Sequence, residues 1–230
     1  MPPEKRTAFC APRDETELLG RALALSGAHL AEIAEGLGLR YDRGPRAKGL
    51  AGLLLERALG ATAGPAKLPD FSALGVELKT VPLGPRGRPR ESTYVCKLPL
   101  ASADRAEWAT SWVRRKLSRV LFVPLWLDRP GDLRGPRVGR SVLWRPTEEQ
   151  QAVLRADFDE IVGLAGAGRI GALDARVGRF LQARPKAASG RSRALAFGPG
   201  DELCTATPLG FYLRARWVGA ILLDPAALLP

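Results

Sequence analysis

The chain has 230 residues, of which 46% are hydrophobic and 26% are charged, so it can bury a core as one large domain or as two small lobes. Lysine and arginine number 35 against 24 acidic residues, a net charge of +11, which predicts a polyanionic partner, either nucleic acid or an anionic membrane surface. No apolar run approaches the length of about 18 residues that spans a membrane, and the first residues lack the apolar stretch of a secretory signal. We therefore expect a cytoplasmic protein.

The cysteine and histidine content limits the chemistry that this chain can perform. The three cysteines, Cys10, Cys96 and Cys204, lie far apart and match no zinc-ligand spacing. His29 is the only histidine, and its position near a predicted helix start is typical of a surface or capping residue. Any reaction would therefore have to use carboxylates, lysines and tyrosines.

The N-terminal part predicts three helices and one basic loop. Apolar spacing first predicts two helices that form an αα-hairpin. The segment from Tyr41 to Gly49 contains Lys48 and is either a phosphate-contacting loop or an ordinary solvated one. A third helix, Leu50 to Leu59, carries Glu56 on or beside an apolar face, where an unpaired carboxylate is costly. Glu56 is therefore either paired elsewhere or an auxiliary acid of a functional site.

Residues 69–79 carry three charged side chains inside a sequence that otherwise resembles interior β-structure. Alternating apolar and charged residues send Glu77 and Lys79 to one face of a strand, and a bend before that strand would bring Asp70 toward Glu77. Two carboxylates with a lysine are the composition of a magnesium site that cleaves phosphodiesters. The alternative is a chance pattern, since Asp followed at loose spacing by Glu-x-Lys is common in charged chains.

The middle of the chain predicts a hairpin, a helix and a buried strand. After the strand that begins at Val76, a turn rich in Gly, Pro and Arg leads to a second strand over Ser92–Leu98, which predicts a β-hairpin. Residues Trp108–Leu117 predict a helix whose basic face includes Lys116. The continuous apolar run Leu121–Leu127 is typical of a buried central strand.

The C-terminal part predicts a long helix, a basic segment and a further strand. The helix opens at Pro146-Thr147 and ends near Gly166. Arg184-Pro185-Lys186 is either a rigid recognition loop or a random basic turn. Tyr212 follows a Pro-Leu-Gly sequence in an apolar run that predicts another strand.

Several separated phrases of this sequence resemble the MutH family of mismatch-repair endonucleases. They are Asp70-Phe71 with Leu74 through Thr80, Arg137-Val138-Gly139, and Leu181-Gln182 through Lys186-Ala187. The resemblance extends from about residue 14 to the C-terminal helix. It implies an α/β fold with a restriction-endonuclease-like core, in which a mixed β-sheet is flanked by helices. It also implies a single endonuclease domain over residues 1–230, with two lobes that share one core and lie around a DNA cleft.

The resemblance further implies roles for individual residues. Asp70, Glu77 and Lys79 match the catalytic motif of the family, in which both carboxylates and a backbone carbonyl, here that of Leu78, hold Mg²⁺. Glu56 matches an additional acid, a candidate further metal ligand. Lys116 matches the second catalytic-site lysine of the family. The DNA-contacting positions of the family match Lys48, Arg184, Pro185, Lys186 and Tyr212. Tyr212 matches the residue associated with sensing adenine methylation, whereas Tyr94 matches only loosely and receives no role.

The function implied by the resemblance is that of a Mg²⁺-dependent, sequence-specific endonuclease in methyl-directed mismatch repair. It would nick the unmethylated strand of double-stranded DNA at hemimethylated GATC sites, after activation by MutL and, through it, MutS. We expect a monomer without membrane association. One alternative is a type II restriction-like endonuclease that cuts both strands. Another is a noncatalytic DNA-binding module, although carboxylates at the site would then weaken affinity for phosphate without a compensating role.

Overall fold

The computed structural model describes residues 10–41, 49–62, 68–127, 134–174, 176–186, 192–200 and 202–228. The chain divides into two compact units, residues 1–90 with 119–144 and residues 91–118 with 145–230. No helix of the described ranges is long and apolar enough to cross a membrane.

The described residues form six α-helices and nine β-strands, joined in places by short 3₁₀ turns. In chain order the helices and strands are α1 (Glu15–Ala24), α2 (Leu30–Gly36), α3 (Leu50–Leu59), β1 (Glu77–Leu83), β2 (Thr93–Lys97), α4 (Trp112–Leu117), β3 (Val120–Trp126), β4 (Arg137–Val138), β5 (Val142–Trp144), α5 (Glu148–Gly166), β6 (Leu181–Pro185), β7 (Ala194–Phe197), β8 (Leu203–Ala206), β9 (Leu209–Leu213) and α6 (Ala215–Leu223).

The first unit is built on a mixed sheet. Strand β1 pairs in parallel with β3, with Glu77 opposite Val120, and β4 and β5 both pair antiparallel with β3. Strand β3 is buried from Val120 to Leu125, which confirms the central strand predicted from its continuous apolar run. Leucines of α1, α2 and α3, among them Leu18, Leu30 and Leu55, share one hydrophobic core with the sheet. The predicted mixed α/β architecture with flanking helices is therefore present.

His29 occupies the start of α2, as its sequence position predicts. Its main-chain N–H donates to the carboxylate of Glu32 at 2.9 Å, a capping arrangement that satisfies one of the unpaired donors at a helix start. Of the two predicted roles, surface or capping, the structure shows the capping role, since the residue is only 8% exposed. Its Nδ1 lies 2.9 Å from the carbonyl oxygen of Gly135, so the imidazole has a structural role beneath that segment.

The predicted hairpin between the strands on either side of the Gly-Pro-Arg turn is wrong. The turn itself forms, with Gly84 N–H donating to the Arg88 carbonyl at 2.9 Å and Arg90 N–H to the Pro82 carbonyl at 2.9 Å. Beyond a single bridge at Pro89, however, β2 pairs with β9 and belongs to the second unit. Pro89 has no N–H with which to extend the ladder beyond its bridge to Leu83. The turn residues therefore predict the turn but not the strand with which β2 pairs.

The second unit is built on an antiparallel sheet in the order β2-β9-β6 and a separate two-stranded ribbon of β7 and β8. Its core is aromatic. Phe158 of α5 lies with its ring centroid 5.6 Å from that of Trp108 and 5.5 Å from that of Phe211. Phe180 and Trp217 stack with their centroids 3.8 Å apart. The long helix predicted after Pro146 is confirmed as α5.

The predicted helix over Trp108–Leu117 is divided in two. A 3₁₀ turn covers Trp108–Thr110, and α4 starts afresh at Trp112. The break lies at Ser111, whose backbone is extended and whose hydroxyl oxygen accepts from Arg114 N–H at 3.0 Å. A serine in this position caps a new helix and does not continue the old one.

A buried carboxylate anchors the start of β6. Asp157 on α5 is 4% exposed, and its oxygens accept from the main-chain N–H groups of Arg179, Phe180 and Leu181 at 2.7, 2.6 and 2.8 Å. Buried charges are tolerated when hydrogen bonds satisfy them. This network therefore fixes where β6 begins and where its later residues lie in the unit.

Candidate active site

A tight turn brings Asp70 to the beginning of β1. Phe71 N–H donates to the Val76 carbonyl at 2.9 Å, and Val76 N–H returns to the Phe71 carbonyl at 3.3 Å. Gly75 has a φ of +66°, a conformation that glycine adopts without steric cost. The Asp70 Oδ2 atom then accepts from the Leu78 N–H at 2.7 Å. The structure thus has Asp70 beside the strand that carries Glu77, as the sequence predicts.

Arg119 holds this turn from outside. Its Nη1 donates to the Leu74 carbonyl at 3.2 Å, and its main-chain carbonyl accepts from the Glu77 N–H at 3.0 Å. The guanidinium also forms an ion pair with Glu15 in the first turn of α1. No local sequence pattern points to Arg119, because its contacts are with residues far away in the chain.

Glu77 and Lys79 lie on one face of β1, as their alternation predicts. Lys79 Nζ donates to Glu77 Oε1 at 2.7 Å. The Glu77 side chain is 3% exposed and that of Lys79 is 16% exposed. Little water reaches this pair, so the local dielectric is low and the charge–charge interaction is strong compared with a surface pair.

Glu56 of α3 lies close enough to sense these charges. Its pKa is raised, chiefly by burial and then by the negative charges of Asp70 and Glu77, while Lys79 opposes the shift. A pKa raised by burial and by neighbouring carboxylates is typical of an acid that lies beside other negative charges. The structure therefore brings Glu56, Asp70, Glu77 and Lys79 together in the first unit.

The oxygen donors of this group match the chemistry of Mg²⁺, which prefers a few carboxylate or carbonyl oxygens and retains several waters. The expected donors are the carboxylates of Asp70 and Glu77 and the main-chain carbonyl of Leu78. Across the described ranges, no three or more His, Cys, Asp or Glu side chains converge tightly enough to hold a metal ion. A set of two carboxylates and one carbonyl does not require such a cluster, whereas Glu56 as a third carboxylate ligand would require its side chain to approach the other two.

The resemblance also assigns roles to Lys116 and Lys48, in addition to Lys186. Lys116 is a half-buried residue of α4 in the second unit. Lys48 lies outside the described residues, and its predicted role remains a prediction.

The basic segment Arg184-Pro185-Lys186 is a strand end and not the predicted loop. Arg184 and Pro185 are the last two residues of β6, opposite Gly210 and Leu209 of β9, and Lys186 follows directly. All three side chains are exposed. Pairing with β9 fixes the backbone of Arg184 and Pro185. The rigidity of this segment therefore comes from the sheet as well as from the proline ring.

Tyr212 of β9 lies on the same sheet, between Gln182 of β6 and Tyr94 of β2. The Tyr94 and Tyr212 rings meet edge to face with centroids 5.3 Å apart, and Lys186 Nζ lies 3.0 Å from the Tyr94 ring centroid. Burial raises the pKa of Tyr94 to about 12. Burial also raises the pKa of Tyr212, opposed by Arg184 and assisted by Glu91. Both phenols are therefore neutral hydrogen-bonding groups at neutral pH.

Sequence reasoning missed three residues of this surface. Ser92 and Gln182 bond with one another and Ser92 also bonds with Arg184, while Tyr94 contacts both Lys186 and Tyr212. The strand alternation of β2 and β6 could have indicated that these side chains share faces with the basic residues, but only the pairing through β9 brings the two strands together.

The first unit has two carboxylates, Asp70 and Glu77, beside a lysine of β1, and the second unit has a strand surface with arginine, lysine and tyrosine. This combination is typical of a hydrolase of nucleic acid phosphodiesters. Comparison with known proteins agrees with this class. The model of the family described as "DNA mismatch repair enzyme MutH" matches residues 59–157. The chain belongs to the MutH family.

Individual relatives are similar over nearly the whole chain. The DNA mismatch repair protein MutH of Histophilus somni (strain 2336) is 42% identical over 219 residues, covering 95% of this chain and 98% of that protein. The protein of the same name from Escherichia coli O6:K15:H31 is 43% identical over 220 residues, covering 95% of this chain and 96% of that protein. The family predicted from the sequence is confirmed, and with it the predicted enzyme class, an endodeoxyribonuclease of DNA mismatch repair.

Proposed function

We propose that this chain is a Mg²⁺-dependent endonuclease that nicks the unmethylated strand of DNA at hemimethylated GATC sites in methyl-directed mismatch repair. The observation that carries the proposal is the group of Asp70, Glu77 and Lys79 at the start of β1. Asp70 reaches that strand through the Leu78 N–H at 2.7 Å, and Lys79 reaches Glu77 at 2.7 Å. Membership of the MutH family supports it.

Mg²⁺ would be held by the carboxylates of Asp70 and Glu77 and the carbonyl of Leu78, with Glu56 as a candidate further ligand. When bound, it would supply positive charge against the scissile phosphate and the leaving oxygen. The raised pKa of Glu56 and its dependence on the two other acids support a concentration of negative charge that a cation would relieve.

Lys79 would act on the attacking water. Its ammonium now donates to Glu77 Oε1, so the strand face that carries Glu77 also carries a hydrogen-bond donor beside it. In the reaction Lys79 would orient the water and assist its deprotonation. Glu77 fixes the position of the Lys79 side chain, and Lys116 would add positive charge at the phosphate.

Sequence recognition would come from the sheet of the second unit. The exposed guanidinium of Arg184 can form two parallel hydrogen bonds to O6 and N7 of guanine, the pairing that arginine geometry favours in the major groove. Pro185 and Lys186 follow it at the end of β6, and Tyr212 would sense the methyl group of adenine. Lys48 would contact a phosphate.

The remaining features of the proposal rest on the family resemblance. They are a restriction-endonuclease-like core, a single domain with two lobes around a DNA cleft, a monomeric state, a cytoplasmic location, and activation by MutL and, through it, MutS. The net charge of +11 supports a DNA partner, because basic surfaces attract the phosphate backbone.

A plasmid assay tests the catalytic assignment. Supercoiled plasmid with one hemimethylated GATC site is incubated with the protein, with and without MutL, in Mg²⁺ or in EDTA. We expect open-circular product in Mg²⁺ only, none with Glu77→Ala, and wild-type activity with Glu35→Ala, which changes an exposed acid of the same unit. Full activity of Glu77→Ala would refute the site. Linear product would instead favour the restriction-like alternative.

A further inference from the structure

The sheet of β2, β9 and β6 has one buried face and one polar face. On β6, Leu181 and Ala183 are buried while Arg184 is exposed, and on β9, Phe211 and Leu213 are buried. The side chains of the opposite face come from all three strands and from their flanking residues. They include Ser92, Tyr94, Gln182, Arg184, Lys186 and Tyr212. We refer to these six residues as the polar face.

Ser92, just before β2, accepts two hydrogen bonds on this polar face. Gln182 Nε2 donates to Ser92 Oγ at 2.6 Å, and Arg184 Nη1 donates to the same oxygen at 3.2 Å. A serine hydroxyl has two acceptor positions and one proton, so both acceptor positions are in use. Gln182 is only 8% exposed, which makes it a fixed support for the serine.

This contact limits the freedom of an exposed arginine. A free arginine side chain loses rotamer entropy when it becomes ordered. Because Ser92 already holds Nη1 of Arg184, part of that ordering is present before any ligand arrives. The Nε and Nη2 atoms form the other edge of the guanidinium, and that edge is the one suited to a two-point contact with guanine.

The chemistry of the anchor also matters. A serine hydroxyl is neutral, so it orients the guanidinium and leaves its positive charge available for DNA. An aspartate or glutamate in the same position would hold the arginine more strongly, but it would neutralise the charge and compete with the base for the donors.

We propose that Ser92 is a positioning residue for sequence discrimination, which holds Arg184 so that its Nε–Nη2 edge faces the DNA base. The inference rests on the proposed role of Arg184 as the reader of guanine. Ser92 itself touches neither the base nor the scissile phosphate in this account.

The test is the ratio of nicking rates at GATC and at the same site with its guanine replaced by adenine. Ser92→Ala is expected to lower this discrimination about tenfold, the effect of one lost hydrogen bond to a charged group, with nicking of the replaced site unchanged. Ser92→Thr, which keeps the hydroxyl, is expected to retain most of it. Ser102→Ala, an exposed serine elsewhere in the unit, is the matched control and leaves the ratio unchanged.

A double-mutant cycle separates this inference from the function it rests on. Arg184→Ala is expected to abolish most of the discrimination, and Ser92→Ala added to Arg184→Ala to change nothing more, since both act through one contact. If Arg184→Ala keeps full discrimination, the guanine contact and the role of Ser92 both fail. If Arg184→Ala loses discrimination but Ser92→Ala keeps it, only the role of Ser92 fails. The same holds if Ser92→Ala lowers the nicking rates at GATC and at the replaced site equally. Ser92→Gly repeats the hydroxyl deletion if Ser92→Ala does not fold.

Discussion

Lys79→Ala separates the structural and the catalytic contributions of the strand lysine. Lys79 Nζ lies 2.7 Å from Glu77 Oε1, and the side chains of the two residues are 16% and 3% exposed. The substitution leaves the Glu77 carboxylate buried without this ammonium. Deleting one partner of a buried ion pair costs about 3–5 kcal/mol of folding free energy. Because Lys79 keeps some contact with water, we expect a loss of about 3 kcal/mol, at the lower end of that range.

Thermal unfolding measures the structural part. For a chain of this length, 1 kcal/mol corresponds to roughly 2–4 °C in the melting temperature, so the expected decrease is roughly 6–12 °C. Adding Glu77→Gln to Lys79→Ala removes the uncompensated charge and is expected to restore most of the stability. It should restore none of the activity, since the amide is a poor ligand for a hard cation.

Nicking of plasmid DNA measures the catalytic part. A positioned proton-transfer group contributes about 10²–10⁴-fold, so Lys79→Ala is expected to reduce the rate by that factor at a temperature where it remains folded. Arg155→Ala, which removes an exposed basic side chain from α5, is the control. Wild-type stability and wild-type rate in Lys79→Ala would contradict both the energetic and the catalytic reasoning.

Three further substitutions test other parts of the account. The pKa of Glu56 is raised above its usual 4.5, so the folded state favours the protonated carboxyl group. The stabilisation from protonated Glu56 is therefore complete below pH 4.5 and is lost as the pH rises through the raised pKa. Glu56→Gln should therefore be more stable than wild type in urea unfolding at about pH 7 and equal to it at about pH 4; no difference between the two pH values would contradict this. Asp157→Ala leaves three main-chain N–H groups without their acceptor and should cost about 3 kcal/mol in chemical denaturation, against less than about 0.5 kcal/mol for Asp159→Ala, an exposed acid of the same helix. Arg119→Ala releases the Leu74 turn and should raise the Mg²⁺ concentration for half-maximal nicking, and the calorimetric dissociation constant for Mg²⁺, by roughly tenfold; an unchanged dissociation constant would remove Arg119 from the site.

Local patterns were sufficient to predict much of the active-site strand. Alternation alone predicted that Glu77 and Lys79 share a face, and their contact agrees with it. The approach of Asp70 could also be foreseen from its spacing, although the hydrogen bonds of the Phe71–Val76 turn that cause it could not. Such features depend on residues within a few positions, where backbone geometry leaves few alternatives.

Long-range pairing was the part that the sequence did not reveal. The turn after β1 suggested a hairpin, but β1 pairs with β3 and β2 pairs with β9, because the choice of a strand partner depends on burial in the whole unit. The contact between Ser92 and Arg184 joins residues 92 positions apart. Neither composition nor periodicity carries information on a pair so distant, which is why Ser92 and Arg119 became visible only in the structure.

Strand discrimination at GATC is the central claim, and it is tested most directly with duplexes whose two strands carry different labels. Unmethylated, hemimethylated and fully methylated GATC duplexes are incubated with the protein and MutL in Mg²⁺, and each strand is analysed separately. We predict cleavage of only the unmethylated strand in the hemimethylated duplex, none in the fully methylated duplex, and no product in EDTA. Equal cleavage of both strands of the hemimethylated duplex, or cleavage that ignores the GATC sequence, would contradict the account.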